Sequence, residues 1–127
     1  MDFSLSDVNK ILGNIQNRDS LTNQFQTFQG ISLDSRSILN NELFIAIKGK
    51  NFDGHNFLKE VIKNGGKAVV IKNGKEDLLP KKFPFWTVPD PLEAYQKLAL
   101  LHRNFTLVHY FDNLPNLQKI LDFDIFH

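Results

Sequence analysis

The sequence has no cysteine, so disulfide bonds and thiolate metal sites are excluded. It also has no apolar run that approaches the ~20 residues needed to cross a bilayer. The first residues, Met1-Asp2-Phe3-Ser4, lack the basic start and the apolar stretch of a signal peptide. These absences favour a reducing, cytoplasmic location and a protein that does not contact a membrane.

The chain also has almost no excess of charge. Its formal net charge is +1, which gives no reason to expect a nucleic-acid partner. What is present is an ordinary globular composition, with 42% hydrophobic and 23% charged residues. A length of 127 residues fits one domain that buries a core of its own.

Short apolar runs bounded by turn residues predict the fold class. Continuous runs at residues 43–47 and 68–71 are typical of strands buried on both faces. Between them, residues 57–62 carry apolar side chains at helical spacing, and Gly65-Gly66 is a natural helix end. A strand, a helix and a strand with short connections imply parallel pairing through a right-handed crossover. We therefore expect an α/β domain with a small mixed or parallel sheet and helices on both faces.

The flanking segments add further elements. Ser4 to Asp7 resembles a capping box, and the helix that it begins should end at Gly13. Asp90 and Pro91 suit the N-cap and first position of a late helix that ends near Arg103. Strands are expected at residues 31–33 and 85–88, with at most a short strand near residues 25–28.

Two polar loops that follow strands are the candidate binding segments, because ligands of open α/β sheets bind beyond the carboxyl ends of the strands. Residues 33–36 offer a hydroxyl, a carboxylate and a guanidinium, and residues 48–55 offer cations, an amide and an aromatic ring. Such groups suit a nucleotide, with amides for the base, a ring for stacking and cations for a diphosphate. The alternative is a capping Asp-Ser turn beside a solvated basic loop.

Other chemistry finds no support in the residue pattern. The four histidines, His55, His102, His109 and His127, are scattered without the spacing of metal ligands. Ser35 has no neighbouring base that would make it a nucleophile. The sequence thus predicts neither a catalytic residue nor a metal site.

Several motifs in a fixed order carry a family resemblance. These are Ser32-Leu33-Asp34-Ser35-Arg36, Glu42 to Gly49, Phe52-Asp53-Gly54-His55-Asn56-Phe57, Asn64 to Val70 and Leu101-His102-Arg103. In order and spacing they resemble the N-terminal, uridine-nucleotide-binding domain of the Mur ligases. The form of residues 52–57 points to the D-alanyl-D-alanine-adding ligase, the MurF type, with the MurE type, which adds the third amino acid, as the first alternative.

The resemblance implies a substrate and a set of ligand residues. In the family this domain holds the uridine diphosphate end of UDP-N-acetylmuramoyl-peptide. Ligand roles are implied for Leu33, Ser35, Lys50, Asn51 and Phe52. Arg36 and His55 also stand in matching motifs, although Arg36 could instead anchor its own loop. Asp53, Gly54 and Asp34 are expected to shape their turns.

Two departures from the family pattern stand out. Asn40-Asn41 replaces a Pro-Gly turn, which is a small change because both pairs form turns. The family continues after the late helix with a glycine-rich phosphate loop, whereas the Gly-Lys pairs here are followed by Asn51, Ala68 and Glu76, not by serine or threonine. No cofactor is therefore expected in this chain, and the family's ATP and Mg belong to a central domain.

The last residues differ from the rest. Residues 104–127 contain one basic residue against three acidic residues and are rich in aromatics: Phe105, Tyr110, Phe111, Phe123 and Phe126. We expect residues 1–103 to form the binding domain and residues 104–127 a divergent tail whose apolar surface promotes self-association. Three interpretations remain open: a truncated ligase, a stand-alone nucleotide-binding module without catalysis, and a subunit completed by a separate ATPase chain.

Overall fold

The elements follow the sequence pattern closely. The computed structural model describes residues 2–101, and within them it has β1 (Phe3–Ser4), α1 (Leu5–Leu12), β2 (Thr27–Phe28), β3 (Gly30–Ser32), β4 (Glu42–Ile45), α2 (Leu58–Lys63), β5 (Ala68–Lys72), β6 (Phe85–Val88) and α3 (Pro91–Leu101). Three short 3₁₀ turns lie at Arg18–Ser20, Gly54–Phe57 and Glu76–Leu78.

Four of the strands form one parallel sheet in which spatial order equals chain order, β3-β4-β5-β6. Residues 43–47 and 68–71 are fully buried, as their unbroken apolar runs predicted. The two remaining strands pair with each other, antiparallel, with Phe3 opposite Phe28. The α/β fold with a parallel sheet is thereby confirmed.

All three connections between the parallel strands cover the same face of the sheet. Ile38 from the β3–β4 connection, Leu58 and Val61 from α2, and Leu79 and Phe83 from the β5–β6 connection pack on this face. Strands in sequential order with crossovers of one hand place every connection on one side. The opposite face must therefore be covered by chain from outside the sheet.

That opposite face is covered by α1, which precedes the sheet, and α3, which follows it. Leu5 and Val8 of α1 and Ala94 and Leu98 of α3 join the larger apolar cluster. Trp86 lies at its centre, 1% exposed, with its ring 5.9 Å from that of Phe28 in an edge-to-face contact. Helices thus flank both faces of the sheet.

Hydrogen bonds confirm the predicted starts of α1 and α3 and the predicted end of α2. Ser4 Oγ accepts from the Asp7 backbone N–H at 3.0 Å, and Asp90 Oδ1 accepts from the Leu92 N–H at 3.0 Å. At the end of α2, Gly65 has a φ of 102°, and the Gly66 N–H donates to the Val61 carbonyl at 2.9 Å. This helix end is a Schellman motif, and the motif requires a left-handed residue at the position of Gly65.

Part of the sequence-based prediction lies outside the described residues. It comprises the end of the late helix at His102 and Arg103 and everything expected of residues 104–127. No helix within residues 2–101 is long and apolar enough to cross a bilayer.

Candidate functional site

The polar loops lie at one edge of the sheet. Because the four strands are parallel, the segments that follow them, residues 33–36, 46–55, 73–75 and 89–91, all leave from the carboxyl edge. The two loops that the sequence singled out follow β3 and β4, which are hydrogen-bonded neighbours. Both candidate loops therefore lie at one edge, where ligands of such sheets bind.

The loop after β3 is held by an ion pair within itself. The Arg36 guanidinium donates two hydrogen bonds to the Asp34 carboxylate, from Nε to Oδ1 at 3.1 Å and from a terminal nitrogen to Oδ2 at 2.9 Å. The Arg36 backbone N–H donates to the same Oδ1 at 2.9 Å. The hydrogen bond from the Arg36 side chain lowers the pKa of Asp34 more than burial raises it. Arg36 is thus paired within its own loop, and its side chain is 70% exposed.

The two other residues of this loop with an implied ligand role are buried. Leu33 is 6% exposed and packs in the larger apolar cluster, so its side chain is not available to a ligand. Ser35 is 3% exposed, and its carbonyl accepts a hydrogen bond from the Asn64 amide at 3.4 Å. Among residues 2–101 no group forms a hydrogen bond with the Ser35 hydroxyl. A buried hydroxyl without a hydrogen-bond partner is uncommon, because most buried polar atoms form at least one hydrogen bond.

The loop after β4 folds back on itself. Lys48 and Asp53 form an antiparallel bridge, and the Gly54 N–H donates to the Ile47 carbonyl at 2.9 Å. A Cβ on Gly54 would stand 3.0 Å from the Ala46 Cα, so the close approach of the two backbones requires glycine there. Lys50 and Asn51 are exposed at the tip of this closed turn.

The aromatic ring of this loop is already stacked. Phe52 is half-buried, and its ring lies 5.4 Å from that of Phe57 with an interplanar angle of 11°. The stack fixes the side chain of Phe52 from one side within the loop. Only its other surface could meet a base.

His55 is fully engaged inside the protein. Its side chain is 3% exposed, and its Nε2 accepts from the Lys72 backbone N–H at 3.0 Å. The hydrogen of the neutral ring therefore lies on Nδ1, which donates to Asp53 Oδ1 at 2.7 Å. Since both ring nitrogens are used, His55 has none left for a ligand. It ties the loop after β4 to the end of β5.

Asp53 is the other half of this support. Its Oδ1 also accepts from the His55 backbone N–H at 2.9 Å, which caps the 3₁₀ turn that follows. Burial raises the pKa of Asp53, but the two hydrogen bonds from His55 and the charge of Lys48 outweigh it and lower the pKa. Asp53 and Gly54 both shape their turn, in agreement with the sequence-based interpretation.

A cleft of about 840 Å³ opens between the ends of β4, β5 and β6 and the start of α3. It is lined by Ile47, Lys48, Gly49, Lys50, Asp53, His55, Lys72, Lys75 and residues 89–92. Of the residues with implied ligand roles, only Lys50 and His55 line it. Ser35, Leu33, Arg36, Asn51 and Phe52 lie at the same edge but outside the cleft lining.

Two lysines that line the cleft were not predicted from the sequence. Lys72 ends β5, and Lys75 follows the Asn73-Gly74 turn. The signal that pointed to the other loops, a polar segment directly after a buried parallel strand, applies equally to this one. Within residues 2–101 no three His, Cys, Asp or Glu side chains stand close enough to hold a metal ion.

Known proteins share parts of this sequence and this fold. The family model described as "Mur ligase family, catalytic domain" matches residues 27–103. The UDP-N-acetylmuramoyl-L-alanyl-D-glutamate–2,6-diaminopimelate ligase of Aquifex aeolicus is 41% identical over 71 residues, which are 56% of this chain and 14% of that ligase. The UDP-N-acetylmuramoyl-tripeptide–D-alanyl-D-alanine ligase of Synechocystis is 39% identical over 69 residues, 54% of this chain and 15% of the relative.

Among solved structures, a crystal structure of MurF from Acinetobacter baumannii shares the fold with a TM-score of 0.63 at 22% identity, over 78% of this chain and 20% of that one. The chain thus spans a fifth or less of the length of these relatives. The resemblance that the ordered motifs between Ile31 and Arg103 predicted is confirmed. The match over residues 27–103 shows that this chain belongs to the Mur ligase family.

Proposed function

We propose that the chain binds the uridine diphosphate end of UDP-N-acetylmuramoyl-peptide, as the N-terminal domain of a peptidoglycan ligase. The observation that carries this proposal is the Ser35 hydroxyl, which is buried and has no hydrogen-bond partner among residues 2–101. A ligand that supplies a donor or acceptor would satisfy it. The hydroxyl belongs to the first family motif and lies at the ligand-binding edge of the sheet.

The other roles follow from the two loops. The backbone at Leu33 and the Ser35 hydroxyl would meet the base, and Lys50 and Asn51 would meet the diphosphate and ribose from the exposed turn tip. The free face of Phe52 is available for stacking. Arg36 and His55 would act mainly through the loops that they hold, because Arg36 pairs with Asp34 and both ring nitrogens of His55 are bonded, to Asp53 and to the Lys72 backbone.

For the type of ligase we propose the D-alanyl-D-alanine-adding enzyme, on the form of residues 52–57. The diaminopimelate-adding type is the alternative, and the relative from Aquifex aeolicus carries that name. In either case ATP and Mg would act in another domain, since residues 1–127 contain no Gly-Lys-Ser or Gly-Lys-Thr phosphate loop. A stand-alone binding module is the alternative outside the enzyme class.

Binding by the full 127-residue chain tests the proposal. We expect calorimetry to show weak binding of UDP and of UDP-N-acetylmuramoyl-peptide, because the chain offers the nucleotide end of the site alone. We expect no ATP site. ATP binding that UDP does not displace would contradict the proposal, and so would the absence of any uridine-nucleotide binding.

Substituting Ser35→Ala isolates the hydroxyl. If it bonds to the ligand, UDP binding should weaken by about 1 kcal/mol or somewhat more, while the unfolding midpoint changes little. Ser37→Ala is the matched control, since Ser37 lies in the same loop but is exposed. A clear fall in the midpoint with unchanged UDP affinity would show instead that Ser35 is a structural turn residue, for example one that bonds to an ordered water.

A further inference from the structure

The cleft at the carboxyl edge carries four lysines from two different strand ends. Lys48 and Lys50 come from the loop after β4, and Lys72 and Lys75 come from the end of β5 and its turn. All four side chains are exposed and line the same cleft. Four ammonium groups around one concavity repel each other, and this repulsion favours an anionic occupant.

The two carboxylates of the cleft do not pair with these lysines. Asp53 accepts from the backbone and ring of His55, and Asp90 accepts from the backbone at the start of α3. Within residues 2–101 none of the four lysines has a carboxylate at ion-pair distance. With four lysines against two aspartates, the lining of the cleft has a net charge of +2.

The start of α3 is not itself an anion site. Asp90 Oδ1 already accepts from the Leu92 N–H at 3.0 Å and the Glu93 N–H at 3.4 Å. This carboxylate occupies the position that a phosphate would take at a free helix N-terminus. Recognition of an anion in this cleft falls to the lysines.

We propose that Lys72 and Lys75, together with Lys48 and Lys50, form the subsite for the diphosphate of the bound nucleotide. The inference rests on the proposed function and adds to it two residues that lie in none of the family motifs. It assigns separate tasks to the two halves of the edge: the loop after β3 contacts the base, and the ends of β4 and β5 contact the phosphates.

Strand spacing is compatible with this division. Neighbouring strands lie about 4.8 Å apart, so the end of β5 is about 10 Å from the end of β3. In a nucleoside diphosphate the ribose separates base and phosphates by a distance of that order. Ser35 and Lys72 can thus contact opposite ends of one ligand.

The experiment uses the full chain with four probes: uridine, inorganic pyrophosphate, UDP and ADP. The variant Lys72→Gln/Lys75→Gln removes two charges and keeps the backbone N–H of Lys72 that His55 requires. Lys59→Gln/Lys63→Gln is the matched control. Both lysines are exposed on α2, which packs on the face of the sheet opposite α3, and neither lines the cleft. Affinities are measured by calorimetry at low and at high salt.

We expect the cleft variant to bind pyrophosphate and UDP about tenfold more weakly, uridine unchanged, and the control variant to match the wild type. High salt should weaken pyrophosphate binding to the wild type. Equal affinities of the cleft variant and the wild type for pyrophosphate and UDP would overturn the subsite, whereas the proposed function would stand if UDP still binds. Pyrophosphate binding that depends on these lysines, without preference for UDP over ADP, would support the subsite and overturn the uridine assignment.

Discussion

Replacing His55 with alanine is expected to lower the free energy of unfolding by about 2 to 4 kcal/mol. The imidazole joins the Asp53 carboxylate to the Lys72 backbone N–H in a part-buried position. Alanine would leave the Lys72 N–H without its acceptor, take from Asp53 the donor on the ring, and leave a cavity where the ring was, although the backbone N–H of residue 55 would still donate to Asp53. Denaturant unfolding followed by circular dichroism measures the loss.

Two conservative variants separate the two hydrogen bonds of His55. Asparagine can reach Asp53 but not the Lys72 N–H, and glutamine can place an acceptor near the Lys72 N–H. Each should recover part of the stability that alanine loses. If all three variants were as stable as the wild type, the imidazole would not hold the loop after β4 to the end of β5.

The same variant should change the response to acid. The pKa of Asp53 in the folded protein is lowered from an unfolded value of about 3.9, so its contribution to stability is present above that pH. It is lost as the pH falls through the folded-state pKa. His55→Ala removes the ring hydrogen bond to Asp53 but keeps the backbone N–H of residue 55, so part of the cause that lowers the pKa of Asp53 is lost and the stability of the variant should depend less on pH between about 2 and 5. An unchanged acid slope would show that the His55 ring does not contribute to the lowered pKa of Asp53.

Replacing Trp86 with alanine should cost about 3 to 5 kcal/mol, the range for truncating a large buried aromatic side chain. Trp86 is 1% exposed and fills the cluster between the sheet and α1. Its indole N–H donates to the Gly13 carbonyl at 2.8 Å and lies 3.2 Å from Asn9 Oδ1. A loss of this size approaches the whole stability of a domain of about 100 residues, typically 5 to 15 kcal/mol.

Trp86→Phe tests the hydrogen bonds apart from the packing. The phenyl ring keeps most of the apolar contact but leaves the Gly13 carbonyl without its donor. We therefore expect the free energy of unfolding to fall by about 1 to 3 kcal/mol. A double-mutant cycle with Asn9→Ala gives the coupling across the helix–sheet contact. Trp86 is the only tryptophan, so these variants are followed by circular dichroism and not by fluorescence. A cycle without coupling would show that the contact between Trp86 and Asn9 does not stabilise the docking of α1 on the sheet.

The sequence predicted the main elements because their signals are local. The short unbroken runs at residues 43–47 and 68–71 are typical of buried strands, and the Asp90-Pro91 pair marked a helix start; the structure confirms both. The pairing of β1 with β2 was not predicted, because two-residue strands have no periodicity to detect.

The site was predicted less completely, for a physical reason. The motifs identified loops but not what their side chains contact. His55 accepts from a backbone N–H 17 residues away, and such a contact depends on the tertiary fold. Lys72 and Lys75 were missed because their importance comes from the neighbouring loop after β4, with which they share a cleft.

The position of α1 also has a consequence for synthesis on the ribosome. The indole N–H of Trp86 donates to the Gly13 carbonyl at the end of this helix, and Trp86 lies 73 residues after Gly13 in the chain. At a translation rate of about 5 to 20 residues per second, β6 is made roughly 4 to 15 s after the helix. During that interval Leu5 and Val8 lack most of the surface that buries them in the finished domain. This helix is made before the sheet but docks only after β6 has been made, and until then its apolar face stays open to a chaperone.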